Sequence, residues 1–471
     1  MPSSPPLSTL HRALTGVLAT TVVAVGASLL PVVATAAASG PKASAARGLS
    51  CPVHTAASSP QRVARYRRTV AIRRARIARY QRDMARHSRA LRRARSAGTR
   101  RHHARAIARD ARAIARLRRA LACQTRYVSV SASSAGPATG PLHVGVSADT
   151  QGWGSQMGAR QDAVSGLGVK WLREEFSWRV VQPSAGTWDW SRYDQLLVSA
   201  AQHGDTVLPV LISTPSWAGP TANTIPSDPS AYAAFVAAVA ARYGPGGSFW
   251  GAHQDLASFA PRTFELWNEP YYPAFSNGDI DPGRYARLVK AAGSAGHAAN
   301  GQAKFLMAAE TDVRPTATNQ WVSWTDAMYQ AVPDLNNYFD AVAVHPYSGN
   351  LAPDATSGAP IHERFDRIGL IHDRMVAKGA SNKPFWITEV GWSTCSDSSA
   401  CVNEATQADY TARLFHVVSS TYRSYVAALF LYRSSDLGPS GSSDREANFG
   451  LAHEDGSPKP AWASVRAAAG A

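Results

Sequence analysis

The chain has 471 residues, 45% of them hydrophobic, with a formal net charge of +16. That is room for two or three domains, at least one with a large core. Between Gln61 and Ala120 stand 22 arginines, no lysine and two aspartates, a local net of +20, while the other 27 basic and 31 acidic residues leave the remainder at −4. The basicity is local, which excludes a chain-wide polyanion-binding surface.

The first 36 residues read as a cleaved export signal. Arg12 precedes the uncharged stretch "ALTGVLATTVVAVGASLLPVVATAAA", in which "ATA" at 34–36 offers small residues for cleavage. The stretch exceeds the ~18 residues of a membrane span, so an uncleaved anchor is the rival; Pro31 and the Ala-rich end favour cleavage. Either way the rest is expected outside the membrane, secreted or held at the cell surface, with residues 37–59 as a linker. In an oxidising compartment the four cysteines pair most simply as Cys51–Cys123 and Cys395–Cys401. Spacing alone leaves other connectivities open. No His or Cys stands at ligand spacing beside them, so no metal site is expected.

Residues 60–123 contain Arg, Ala and scattered aliphatics with no internal proline after Pro60. Val63, Val70, Ile77 and Met84 recur at seven-residue intervals, as do Ile107, Ile114 and Leu121, which predicts a narrow helical stripe. "SAGT" at 96–99 divides it into a helical hairpin, Gly98 ending one helix and Thr99 capping the next. A Cys51–Cys123 bridge across its open end is worth roughly 4–5 kcal/mol in the chain-entropy picture. The module fits an anionic polymer, a cell-wall or membrane surface, or an acidic substrate, and its alternative is a solvated spacer. Only Tyr66 and Tyr80 interleave aromatics, so no specific nucleic acid is expected. Residues 124–140 form a Ser/Gly linker.

From residue 141 to 471, short apolar runs alternate with amphipathic Ala-rich segments. The runs are "LHVGVS" (142–147), "VKWLREEF" (169–176), "TVLPVLI" (206–212), "TFELWN" (263–268), "KFLMAAE" (304–310), "FDAVAVHPY" (339–347), "PFWITEV" (384–390) and "AALFLYR" (427–433). Helices are predicted near 191–203, 231–243, 284–299, 363–378 and 406–423, with others in "QMGARQDAVSGLG" and "PAWASVRAAAG". Buried parallel strands read as continuous apolar runs, and about eight strand–helix units predict an α/β fold, the (β/α)8 TIM barrel. An open doubly wound sheet is the rival, but no Gly-rich fingerprint follows the first strand.

Functional groups in such barrels sit at the C-terminal strand ends. Here the fourth strand ends in Asn268 and Glu269, and the seventh in Glu389. Those strands face each other across a barrel mouth. A pair of carboxylates there suits glycoside cleavage, one donating a proton to the leaving oxygen and the other attacking the anomeric carbon. An ionised Glu389 would keep a nearby Glu269 protonated. "WNEP" and "TEVGW" resemble the retaining glycoside hydrolases of clan A, the 4/7 superfamily. "KWLREEFSWRVVQPSAGTWDWSRYDQLL" and "PVLISTPSWA" look most like its families 39 and 5. The resemblance covers residues 141–471 and implies double-displacement hydrolysis of O-glycosidic, β-configured bonds in an oligo- or polysaccharide. It makes Glu269 the acid/base, Glu389 the nucleophile and Asn268 the partner of the sugar 2-hydroxyl. Arg173 and Tyr347 would donate to the nucleophile, with His345 in the same cluster. Two positions depart from family 5: Ser213 and Thr214 replace a usual His after the third strand, and Tyr432 a usual Trp after the eighth.

Trp178, Trp217, Tyr271, Trp392 and Tyr432 follow strand ends, where rings stack on sugars. Together they predict a carbohydrate cleft; the chemistry requires no metal or organic cofactor, and the chain is expected to be a monomer. The alternative is a non-catalytic carbohydrate-binding or surface-attachment protein on a barrel scaffold.

Overall fold

Two long helices, α1 (Pro60–Arg93) and α2 (Ala97–Ala132), lie against each other as a hairpin. The computed structural model describes residues 60–94, 96–132, 140–150, 157–397 and 399–470, grouped into two compact units with the division near Gly136. The export signal, the 37–59 linker and the Cys51 half of the proposed bridge lie outside the described residues. In the hairpin the seven-residue stripe is the seam: Ile77, Met84 and Ile107 are half-buried and Ile114 is buried. Ser96, not Thr99, caps α2: its Oγ accepts from the Thr99 amide at 3.1 Å, and Gly98 lies inside the first turn. A serine before the first helical residue satisfies an orphan amide better than one three places further on. α2 runs to Ala132, past residue 124 where the linker was expected, since no Gly or Pro interrupts it before Gly136.

The second unit is a closed barrel of eight parallel strands. They are β1 (His143–Ser147), β2 (Trp171–Ser177), β3 (Thr206–Ile212), β4 (Thr263–Leu266), β5 (Lys304–Ala308), β6 (Ala341–Val344), β7 (Phe385–Val390) and β8 (Val426–Leu431). Each pairs with its neighbour in sequence, and β1 pairs with β8 to close the ring. A helix follows every strand, from Met157–Ser165 after β1 to Pro460–Ala469 after β8. The predicted runs fall on all eight strands. The helix after β5 (Trp324–Ala331) and an antiparallel ribbon, Asp312–Val313 with Val322–Ser323, were not foreseen.

Two apolar layers hold the barrel. The larger lies between strands and helices, and its most buried members include Trp178, Tyr232, Trp267 and Trp324. The smaller fills the barrel floor with Leu208, Leu306, Trp386 and Phe430. Gly145 on β1 makes room for it: a Cβ there would meet the Phe430 ring at 2.4 Å and the Trp171 carbonyl at 2.7 Å. Because side chains alternate along a strand, residues two places beyond the floor residues point into the mouth. Trp171 and Trp386 face the floor, which sends Arg173 and Thr388 upward.

Among the described residues no helix is long and apolar enough to cross a membrane.

Candidate active site

Above the apolar floor lies a buried polar layer built from β2, β4 and β7. Arg173 donates from Nε to Glu265 at 2.8 Å, from one terminal nitrogen to Glu389 at 2.5 Å and from the other to Asn268 at 2.8 Å. Thr388 donates to the second oxygen of Glu265 at 2.9 Å. Burial alone would raise the Glu265 carboxyl, but Arg173 and then His345 outweigh it and pull it down to about 2. Burial would lower the Arg173 guanidinium, and Glu265 and Glu389 instead hold it above its ordinary value. Glu265 was not foreseen as a site residue. Its signal was a charged residue in the middle of the apolar run "TFELWN", which a strand buried on both faces tolerates only with partners.

Glu389 follows Thr388 directly, yet both reach the mouth. Between the pairs Leu429–Ile387 and Leu431–Val390, β7 advances three residues while β8 advances two. The extra residue is a bulge, which re-aims a side chain at a strand end. Glu269 is presented by a different irregularity. After β4 the backbone takes positive φ at Trp267 (68°) and Glu269 (38°), conformations that cost a non-glycine residue ~1–3 kcal/mol. Trp267 is pinned through its amide to the Leu211 carbonyl at 3.1 Å and through its indole to the Phe275 carbonyl at 2.7 Å.

His345 and Tyr347 come from the turn after β6. Arg367 fixes that turn by donating to the carbonyls of Tyr347 and His345, at 2.5 and 2.6 Å, while its Nε lies 3.3 Å from Glu310 at the end of the β5 run. Tyr347 donates to Glu389 at 2.8 Å. His345 Nδ1 stands 2.9 Å from Glu269, and Nε2 2.9 Å from the Thr388 hydroxyl. Burial would lower this imidazole; Glu389 first, then Glu265 and Glu269, outweigh it and raise it to about 10. A doubly protonated ring matches both contacts, because Thr388 spends its own proton on Glu265.

Ligand atoms of Glu269, His345 and Glu389 all lie within 4.8 Å of one another, close enough to share one cation. The charges argue otherwise. Arg173 and Tyr347 already donate into Glu389, and a protonated imidazole has no lone pair to offer. This donor set handles protons. A carboxylate oxygen of Glu269 and one of Glu389 lie within 4.8 Å of each other, closer than the ~6.5–9.5 Å between the carboxyls of an inverting pair. The Glu389 side chain is 9% exposed and that of Glu269 is 17%. A third carboxyl, Glu175 on β2, is raised to about 7 by burial and then by the nearby Asp149.

The structure therefore brings together Glu269, Glu389, Asn268, Arg173, His345 and Tyr347. Tyr432 joins their edge, its ring 6.1 Å from that of Tyr347. The aromatic expectations divide. Trp217 and Tyr271 keep partial exposure, whereas Trp178 and Trp392 do not. Trp178 is wholly buried, stacked on Phe235 and donating to Gln182, and Trp392 is 1% exposed and donates to the Leu351 carbonyl. Both are core residues, because position after a strand does not tell which side of the chain a ring takes. The Cys395–Cys401 disulfide, with its Cα atoms 5.5 Å apart, closes the loop after β7. Gly391 in the same segment lets β8 approach: a Cβ there would lie 2.1 Å from the Tyr432 carbonyl.

No family model matches this sequence, and no curated protein matches it. Solved structures do. A family 39 glycoside hydrolase from the gut symbiont Bacteroides cellulosilyticus is 20% identical, with a TM-score of 0.50 over 72% of this chain and 64% of that one. A monomeric beta-xylosidase from Caulobacter crescentus is 18% identical, with a TM-score of 0.50 over 70% of this chain and 68% of that one. The GH5_18 protein from Streptomyces cattleya, in complex with Manb1-4GlcNAc, is 17% identical, with a TM-score of 0.51 over 70% and 80%. The chain thus spans less than two thirds of the first of these. At such identities the likeness is one of fold: the chain has the (β/α)8 barrel found in clan A glycoside hydrolases of families 39 and 5.

Proposed function

We propose that the barrel is a retaining glycoside hydrolase acting on β-linked oligo- or polysaccharide. One observation carries it: Glu269 and Glu389, from opposite strands of a closed barrel, bring carboxylate oxygens within 4.8 Å of each other in a buried cluster with His345. Glu389 attacks the anomeric carbon while Glu269 gives its proton to the departing glycosidic oxygen. The bond electrons leave with that oxygen, and a glycosyl ester forms on Glu389. Glu269, now a base, takes a proton from water, which attacks the same carbon and returns Glu389 as carboxylate. Arg173 and Tyr347 hold one oxygen each of the nucleophile, and Asn268, oriented by Arg173, is free to donate its amide to the sugar beside the bond. No step requires a metal or organic cofactor.

The Arg-rich hairpin accompanies this activity as an attachment module for an anionic polymer or surface. Arg76, Arg79, Arg82, Arg89, Arg101 and Arg105 are all exposed on it. Among its described residues the acidic partners are Asp83, paired with Arg86, and Asp110, paired with Arg109, so most of the guanidinium charge faces solvent. Export to the cell exterior, read from the first 36 residues, is consistent with such a role.

Glu389→Gln keeps the shape and removes the nucleophile. Turnover should vanish on every glycoside and polysaccharide the unmodified protein cleaves, measured as reducing-end release. A variant that keeps more than a few per cent of the rate would assign the nucleophile elsewhere.

A further inference from the structure

The loop after β5 carries a feature that the catalytic cluster does not use. It leaves the strand at Ala308, forms the two-stranded ribbon and re-enters helix at Trp324. Trp324 is buried, donates its indole proton to the Ala308 carbonyl at 3.2 Å and meets the Tyr271 ring edge-on at 5.8 Å. Tyr271 is two residues beyond Glu269. Three residues before Trp324 stands Trp321, which even a fully extended chain keeps within ~11 Å of it. Trp321 therefore lies in the loop at the C-terminal end of β5, the strand beside β4, which Glu269 follows.

Its environment is unlike that of the other tryptophans. Trp321 is 59% exposed, more than any other large apolar side chain among the described residues. The Arg314 guanidinium lies over its ring, 5.0 Å from the centroid. From the loop after β6, the His362 ring comes within 6.1 Å at a tilt of 38°, beside Ile361, which is also exposed. Arg314 makes no ion pair with any described residue. An indole left this exposed forgoes apolar burial. Such an arrangement, a flat exposed ring beside a guanidinium that makes no ion pair among the described residues, suits a sugar ring, whose C–H face stacks while its hydroxyls accept.

We propose that Trp321 is the floor of a binding position for a sugar unit on the leaving-group side of the cleft, with Arg314 and His362 at its edges. The assignment rests on Glu269 being the acid: the group it protonates departs on that side, so a sugar over Trp321 belongs to the released part of the chain. The substrate is then a glycan that extends beyond the scissile bond on the leaving-group side. A glycoside with a small leaving group would not reach the platform. The ribbon's second strand, Val322–Ser323, directly follows Trp321.

The test compares Trp321→Ala with the unmodified protein on neutral β-1,4-linked oligosaccharides from disaccharide to hexasaccharide and on 4-nitrophenyl glycosides of the same sugars. KM for the longest substrates should rise about tenfold, the change that ~1.4 kcal/mol of lost contact produces. The rate at saturation and all parameters for the nitrophenyl glycosides should stay unchanged. Arg314→Ala should act in the same direction and less. An equal effect at every length, or none on the longest, overturns the platform. Fluorescence titration of Glu389→Gln protein with the same oligosaccharides separates this from the catalytic reading. Affinity that grows with length and loses that growth in the Trp321→Ala double variant supports the platform even where no member is hydrolysed. Affinity independent of length, or no binding at all, overturns it.

Discussion

Arg173 reaches three groups from one side chain, Glu265, Glu389 and Asn268, and so ties the floor of the site to its proposed nucleophile. Around it, charge is balanced locally: Glu265 is held down to about 2, and His345 up to about 10. The signs give a pH dependence. A folded imidazole raised above its unfolded value near 6.5 stabilises fully below that value and loses its contribution as pH rises through about 10. Glu265, depressed from about 4.5, contributes above that value and loses its contribution only as pH falls through about 2. His345→Gln should therefore melt well below the unmodified protein at pH 6, and the gap should close toward pH 10, by scanning calorimetry. A gap that stays constant over that range would mean the ring acts by shape alone. At this scale Glu269 and Glu389 were legible in the sequence because each ends an apolar run with a carboxylate. Glu265 was not, because the run was read as wholly apolar. Trp178 and Trp392 were misplaced because their direction depends on the helices that pack over them.

At the scale of elements, the eight strands were legible because parallel barrel strands are apolar on both faces, and their boundaries shifted by only a few residues. Three things were hidden. The β7 bulge depends on pairing with β8, which no local pattern records. The ribbon next to Trp321 in sequence has two-residue strands, too short for any periodicity. The α2 cap moved from Thr99 to Ser96 because both residue types suit the position. The hairpin's seven-residue stripe was plain, and its chemistry yields a further expectation. Retention on an anionic polysaccharide or polyphosphate resin should fall steeply as salt shortens the Debye length from about 10 Å at 0.1 M to ~3 Å at 1 M. Deleting residues 50–125 should abolish retention and leave hydrolysis intact. Salt-insensitive retention would rule out an electrostatic attachment, and loss of hydrolysis would tie the hairpin to the chemistry.

For the whole molecule, charge and catalysis are separated along the chain: arginines concentrate in the helical unit, and the paired carboxylates in the barrel. Within the barrel, the floor excludes water, the polar layer orients the acids, and the loops at the mouth decide what enters. In the proposed reading, everything catalytic follows from two glutamates placed for double displacement. The most direct check is the anomeric configuration of the first sugar released, followed by proton NMR before mutarotation sets in. Retention of the β configuration is predicted from carboxylates within 4.8 Å of each other. Release of the α-anomer from a β-glycoside would contradict it.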